Sequence, residues 1–327
     1  MKTYIKKIIN RVFRIFKIIF LSNSFIEKLN FSWLLKSGQI KFSDFPNEVW
    51  IENTNHCNAN CVMCPHDKQT RDQGFMSLNL FEKIINEVAK FKKQVERVHL
   101  HNFGEPLLDH DLVKKITIAK KVGIKHVFFV SNGSLMTKDL GKQIIMAGLD
   151  EIKFSFYGTD KDTYEKTMRN LKYEKSLENI KQFIKTREEL DVKTPKIIIQ
   201  YLPQRTNMFR NDDFKKIFTP MLRKDIGDKL SIFKLHNFGG GNDNDNLKSL
   251  RNITSICNYP WKTMVILFDG KVVLCCLDYN GVQIVGDVNK LTLSEIWNGD
   301  IFSATRNKFM NLKYEQYPVC LRCDVIK

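Results

Sequence analysis

The 327-residue chain lacks an apolar run long enough to cross a bilayer. The nearest candidate, Val12 to Leu21, is shorter than the roughly 20 residues a spanning helix needs, and Arg14 and Lys17 interrupt it. It also lacks a small-residue cleavage site after the basic, apolar first 22 residues, which argues against a secretory signal. Acidic residues are the third scarcity. Asp and Glu total 36 against 52 Lys and Arg, a net charge of +16. That balance suits nucleic acid, an anionic membrane surface, acidic electron carriers or phosphorylated substrates, and equally a solvated lysine-rich surface. Charge alone does not choose among them.

Hydrophobic residues make up 43% and Phe alone numbers 24, so the chain reads as globular. Its length allows one large α/β domain and a small appendage. With no convincing secretory signal, the eight cysteines are expected in a reducing cytoplasm. There, clustered cysteine points to metal or catalysis rather than to disulfides.

Residues 1–45 read as a basic amphipathic extension. Ile5, Ile8, Ile9, Val12, Phe13, Ile15, Phe16, Ile19 and Phe20 fall near helical spacing, with Lys and Arg between them. Such a helix packs on protein or lies in a membrane interface. Packing is the favoured reading, and contact of residues 1–22 with a membrane surface stays open.

From Pro46 onward, strands alternate with helices. Strands are expected at 49–51, 95–101, 126–130, 151–156, 196–201 and 231–235. Helices are expected at 78–91, with Ser77 as N-cap, at 109–122, at 137–147 after Thr137, at 160–189 and at 212–222. Six βα units in a row imply a parallel sheet and a partial (β/α)6 TIM-like barrel, with its chemistry at the C-terminal strand ends, while a doubly wound open sheet fits the same pattern. Residues 46–237 are assigned to this barrel. The Gly- and Asn-rich stretch 238–246 reads as a linker. Residues 247–327 form a small cysteine-rich α+β domain, in which Asp269-Gly270 turns a hairpin running from Met264 to Leu277.

Cys57, Cys61 and Cys64 form a C-x3-C-x2-C run just after the first strand. Three thiolates this close hold three irons of a cubane cluster and leave one iron open. A zinc site completed by a distant ligand is the bland alternative. Downstream, Cys257 is followed by twelve residues, Gly270, four residues and Cys275, then by Cys320-Leu321-Arg322-Cys323. Four such cysteines fit zinc or iron–sulfur. Cys276 is left over.

The first run, in its setting Asn55-His56-Cys57 through Cys64-Pro65, resembles the signature of the radical S-adenosylmethionine (SAM) superfamily. The resemblance extends over most of the chain. It implies that Cys57, Cys61 and Cys64 ligate a [4Fe–4S] cluster whose open iron binds SAM, with Met63 near the adenine. Phe103-Gly104-Glu105 is similar to the family's Gly-Gly-Glu motif, with Phe103 in place of the first glycine. Gly104 and Glu105 are then expected at the SAM amino group. Ser131 and Asn132 are expected near ribose and carboxylate, and Ser155 and Arg169 at further SAM contacts.

The second cysteine set resembles the SPASM/twitch extension of these enzymes, as do Gly286-Asp287-Val288 and Leu293-Ser294-Glu295-Ile296-Trp297. Cys257, Cys275, Cys320 and Cys323 are assigned to one auxiliary [4Fe–4S] cluster, a count similar to that of single-cluster aminocyclitol dehydrogenases. Asp278 is the candidate proton acceptor.

The implied activity is hydrogen abstraction by a 5′-deoxyadenosyl radical, with oxidation or modification of a sugar, nucleotide-sugar or aminocyclitol. A peptide- or protein-modifying maturase is the alternative, and a zinc-stabilised binding protein the remote one. Residues 1–45 are too short for a winged-helix peptide-recognition domain. The implied partners are a flavodoxin- or ferredoxin-like electron donor and a small-molecule substrate, a phosphorylated sugar among the candidates, with no nucleic acid.

Overall fold

A computed structural model describes residues 43–201, 211–232, 235–241 and 255–326. Expectations for residues 1–42, and with them the membrane-facing helix, lie outside the described residues. Among the described residues, no helix is long and apolar enough to cross a membrane.

The strands, in chain order, are β1 (Glu48–Ile51), β2 (Asn60–Cys61), β3 (Arg97–His99), β4 (Val127–Ser131), β5 (Glu151–Ser155) and β6 (Met168–Arg169). They continue with β7 (Lys196–Tyr201), β8 (Lys229–Ile232), β9 (Thr263–Ile266), β10 (Lys271–Val273) and β11 (Ile284–Asp287). Nine of them form one sheet in the order β11-β10-β9-β1-β3-β4-β5-β7-β8. From β9 through β1 to β8 every neighbouring pair is parallel. This is the partial barrel that the alternating pattern implied.

Parallel neighbours need crossovers, and helices supply them. Helix α1 (Leu78–Lys90) follows β1, α2 (Leu112–Lys121) follows β3, and α3 (Lys138–Met146) follows β4. Ser77 and Thr137 cap their helices as expected, accepting from the amides of Leu80 and Leu140. In α1 the apolar face is Phe81, Ile84, Ile85 and Val88, all buried. It packs over alternate strand residues such as Val49, Ile51, Val98 and Leu100. Because side chains alternate along a strand, the residues between these face the other way, into the barrel.

One helix expected at 160–189 is two. Helix α4 (Lys161–Thr167) gives way to β6, and α5 (Tyr173–Glu189) resumes after it. Asn170 makes the break at φ 69°, a left-handed conformation that asparagine tolerates. β6 then pairs antiparallel with β2, setting Met168 opposite Cys61 and Arg169 opposite Asn60. Farther along, α5 is fastened to β7 and β8 through Arg187. Its guanidinium donates to both oxygens of Asp228 at 2.8 and 2.6 Å. Asp228 also accepts from the Ile197 amide at 2.8 Å.

The expected hairpin is present as β9 and β10, with Gly270 at φ +90° in its turn. Its placement was not foreseen: β9 lies parallel to β1, pairing Glu48–Ile51 with Thr263–Ile266. The cysteine-rich C-terminal region therefore continues the barrel sheet. Arg71 strengthens the junction. It makes two 2.6 Å bonds to buried Glu52 and donates to the Tyr279 carbonyl at 3.0 Å. The glycine-rich stretch begins as structure too, because Gly239 and Gly240 pack against Val319 and Arg322.

Candidate functional site

The loop that carries the first cysteines is anchored before it reaches them. Asn53 donates to the Leu100 carbonyl at 3.2 Å, and Thr54 to the Gly74 carbonyl at 2.8 Å. Asn55 donates to the Asp72 carbonyl and accepts from the Gly74 amide, both at 2.9 Å. Cys61 then sits on β2, held by β6, and the Val62 amide donates to the Thr167 carbonyl at 3.0 Å.

These anchors bring Cys57, Cys61 and Cys64 to one cavity of about 540 Å³. Met63, Gly104, Glu105, Ser131, Asn132 and Ser155 line it as well. Burial pushes the Cys57 thiol up to about 12 and Cys64 to about 11, and Cys61 shifts the same way. Such thiols stay protonated until a metal cation replaces the proton. A soft-donor trio around a shared space fits an iron–sulfur body.

Gly104 is needed for a different reason from the one the motif suggested. A Cβ there would stand 2.1 Å from the Thr54 carbonyl oxygen and 2.9 Å from that of His56. The close approach is to the cysteine loop itself. Beside it the Glu105 amide donates to the His56 carbonyl at 2.8 Å. Buried Glu105 accepts from the Ser131 hydroxyl at 2.7 Å, the Asn132 amide at 2.8 Å and the Leu107 amide at 3.1 Å. Desolvation raises its pKa while these bonds oppose the rise. Asn132 in turn donates to Asn58 at 2.9 Å, and Asn58 to Ser134 at 2.9 Å. The β4 loop is thereby tied to the cysteine loop.

Two expected residues do not line this cavity. Arg169 has an exposed side chain, and its neighbour Met168 lines the cavity instead. In a two-residue strand adjacent side chains take opposite faces, so β6 turns Met168 inward. Asp278 is buried, but its two oxygens accept from the Val282 and Gln283 amides at 2.9 and 2.7 Å. It closes the turn after β10 and does not line the larger cavity.

Cys257, Cys275, Cys320 and Cys323 line a second, smaller and mostly apolar cavity. Backbone amides of Leu277 and Val325 donate to the sulfurs of Cys275 and Cys323 at 3.4 Å each. Burial raises all three of the Cys275, Cys320 and Cys323 thiols, Cys323 to about 11. In Cys275 the hydrogen bond to Cys276 is the larger cause. Tyr259, Leu277 and Val325 line both cavities and so form the wall between them. Cys276 faces the larger one, hydrogen-bonded to Tyr259.

Sequence reasoning passed over much of the larger cavity. Trp50, His99, His101, Phe128, Lys153 and Gln200 line it from β1, β3, β4, β5 and β7 or their ends. The signal was present as polar residues at every second position of apolar strands. Arg97-Val98-His99-Leu100-His101 is the clearest instance.

Residues 51–191 match the model of the radical SAM superfamily, and residues 257–324 that of an iron–sulfur cluster-binding domain named SPASM. A tungsten-containing aldehyde ferredoxin oxidoreductase cofactor-modifying protein of Pyrococcus furiosus is 26% identical over 159 residues. That match takes in 49% of this chain and 44% of the relative. A probable GTP 3′,8-cyclase of Saccharolobus solfataricus is 28% identical over 195 residues, 59% of this chain and 58% of the relative. The chain thus spans about half the length of these curated relatives. Among solved structures, BtrN in complex with AdoMet and 2-DOIA superposes with a TM-score of 0.60 at 17% identity. That superposition covers 85% of this chain and 93% of BtrN. Streptococcus suis SuiB bound to precursor peptide SuiA gives 0.66 at 14%, covering 99% and 82%. At these identities the likeness is one of fold.

Proposed function

We propose that this chain, a radical SAM enzyme with a C-terminal iron–sulfur cluster-binding domain, modifies a hydroxylated small molecule inside its barrel. Sugars, nucleotide-sugars and aminocyclitols are the classes in view. The supporting observation is the single cavity that joins the three thiols of the first loop to a polar lumen wall. Its size lies in the range of small-molecule sites.

When bound there, a reduced [4Fe–4S] cluster with SAM supplies the radical that removes a substrate hydrogen atom. Cys57, Cys61 and Cys64 would hold that cluster, and Met63 lies beside it. Glu105 keeps one acceptor position of Oε2 free after its three internal bonds, which suits an ammonium group. Ser131 and Asn132 orient Glu105 and the β4 loop, and Ser155, bonded by the Tyr157 hydroxyl at 3.1 Å, lines the cavity from the neighbouring strand β5. Cys257, Cys275, Cys320 and Cys323 would hold the auxiliary cluster. Tyr259, Leu277 and Val325 alone separate the two cavities along their shared wall, and an auxiliary cluster bound behind them would supply an electron acceptor for a net oxidation of the substrate. A flavodoxin- or ferredoxin-like carrier in the cytoplasm would supply the starting electron.

The test is anaerobic turnover with SAM and reductant on deuterated sugars, nucleotide-sugars and peptides, following deuterium into 5′-deoxyadenosine. Transfer from a sugar supports the proposal. Transfer from peptides alone would replace it with the maturase reading. In the same assay, Cys320→Ala is expected to keep SAM cleavage above background and to lose product. Loss of all cleavage in a folded Cys320→Ala protein would contradict the division of labour between the two cysteine sets.

A further inference from the structure

The lumen wall of the larger cavity carries hydrogen-bonding groups that cofactor binding does not need. Trp50 stacks on His99 with ring centroids 3.9 Å apart. His99 and His101 both lie against Phe128, at 4.3 and 5.4 Å. No described residue bonds His99 Nδ1, His101 Nδ1 or Trp50 Nε1, although all three atoms are buried. An unmatched buried polar atom is costly, so a bound molecule or ordered water is expected to engage it.

The polarity of these groups is defined. His99 Nε2 donates to Glu48 at 3.0 Å, which leaves the Nδ1 lone pair as an acceptor. Burial holds the His99 pKa at about 4 and that of His101 well below its ordinary value, so both rings are neutral at pH 7. Trp50 is a donor only. A neutral His101 offers one donor and one acceptor. A hydroxyl both donates and accepts, whereas an ammonium only donates and a carboxylate or phosphate oxygen mainly accepts. This mixed wall therefore suits hydroxyl groups.

Two cations, Lys153 and Arg97, line this end of the cavity beside the Glu48 carboxylate. The Lys153 ammonium lies 5.0 Å from the Phe128 ring centre, and the Arg97 guanidinium 5.9 Å from it. The carboxylate nearest Lys153, that of Glu151, stands 3.8 Å away and is shared with Lys196 and His126. Glu48 is engaged by His99.

We infer that this wall seats an anionic polyol: hydroxyls at Trp50, His99 and His101, the ring against Phe128, and a phosphate or carboxylate at Lys153 and Arg97. The inference rests on the hydrogen-abstraction reading above and narrows it. An anion there would pair with Lys153 and Arg97, which the ammonium groups of an aminocyclitol would not.

Calorimetric titration of the cluster-loaded protein with glucose 6-phosphate, glucuronate and glucose tests this without turnover. At least one of the two anions should bind about tenfold tighter than glucose, the margin of a charge-assisted hydrogen bond. Comparing the two tells phosphate from carboxylate. Lys153→Met should erase the margin, Lys153→Arg should restore most of it, and His101→Phe should weaken every ligand that binds. No anion preference in the wild type, an unchanged preference in Lys153→Met, or binding of none of the three would overturn the inference. An enzyme that discriminates among these ligands but transfers no deuterium would sink the hydrogen-abstraction reading alone. One that transfers deuterium without discriminating would sink the anionic-polyol seat alone.

Discussion

A Cys61→Ala protein is expected to fold, to carry about half the wild-type iron, and to cleave no SAM above background. The thiol is the only part of Cys61 that the fold does not use. Its backbone pairs with Met168 across β2 and β6, and the Cys64 amide donates to its carbonyl at 3.0 Å. An alanine keeps both contacts. What disappears is one of three thiols on the cavity wall, and two thiolates do not hold a cubane. The second cysteine set lines a separate cavity and should keep its own iron. Iron and sulfide analysis, electron paramagnetic resonance of the reduced protein, and chromatography for 5′-deoxyadenosine check the three parts. Full iron content with undiminished cleavage would show that Cys61 is not a ligand.

Gly104→Ala should have the next largest effect, through the backbone. The new methyl would meet the Thr54 carbonyl oxygen at 2.1 Å and the carbonyl of His56, the residue before Cys57, at 2.9 Å. Neither atom belongs to a side chain that can swing aside. Overpacking of this kind costs about 3 kcal/mol, and relief requires the cysteine loop to move. The expected result is a lower melting temperature together with selective loss of the first cluster. Thermal unfolding and iron analysis of the same sample separate these effects. Gly104→Ala with wild-type stability and full iron would refute the close-packing account. Glu105→Gln makes a milder comparison, since its amide nitrogen cannot accept the bonds that one carboxylate oxygen now accepts.

The order of strands and helices was legible because each element announces itself locally. Ser77 and Thr137 mark helix starts, apolar periodicity marks helix faces, and the six barrel strands are short apolar runs. The cysteine trio was legible because its spacing is local. What the sequence hides is tertiary. Arg169 and Met168 are adjacent, and only the pairing of β6 with β2 decides which of them faces the cavity. Asp278 sits beside a cysteine ligand in sequence, yet two backbone amides claim its carboxylate. No pattern in the sequence shows that β9 will lie against β1, because parallel pairing across some 200 residues leaves no local trace. The lumen residues were readable in principle. His99, His101 and Lys153 break apolar strands at alternate positions, the mark of a sheet face that does not meet helices.

The junction of β9 with β1 also bears on what happens while the chain is being made. Until Thr263–Ile266 has left the ribosome, β1 presents an open row of amides and carbonyls, an invitation to pair with another unfinished chain. The last quarter of the protein is thus a seal for the first strand. A gene fragment ending in the linker should yield inclusion bodies where the full-length gene yields soluble protein. Co-expression of the missing segment in trans is the natural way to ask whether the seal can be supplied late.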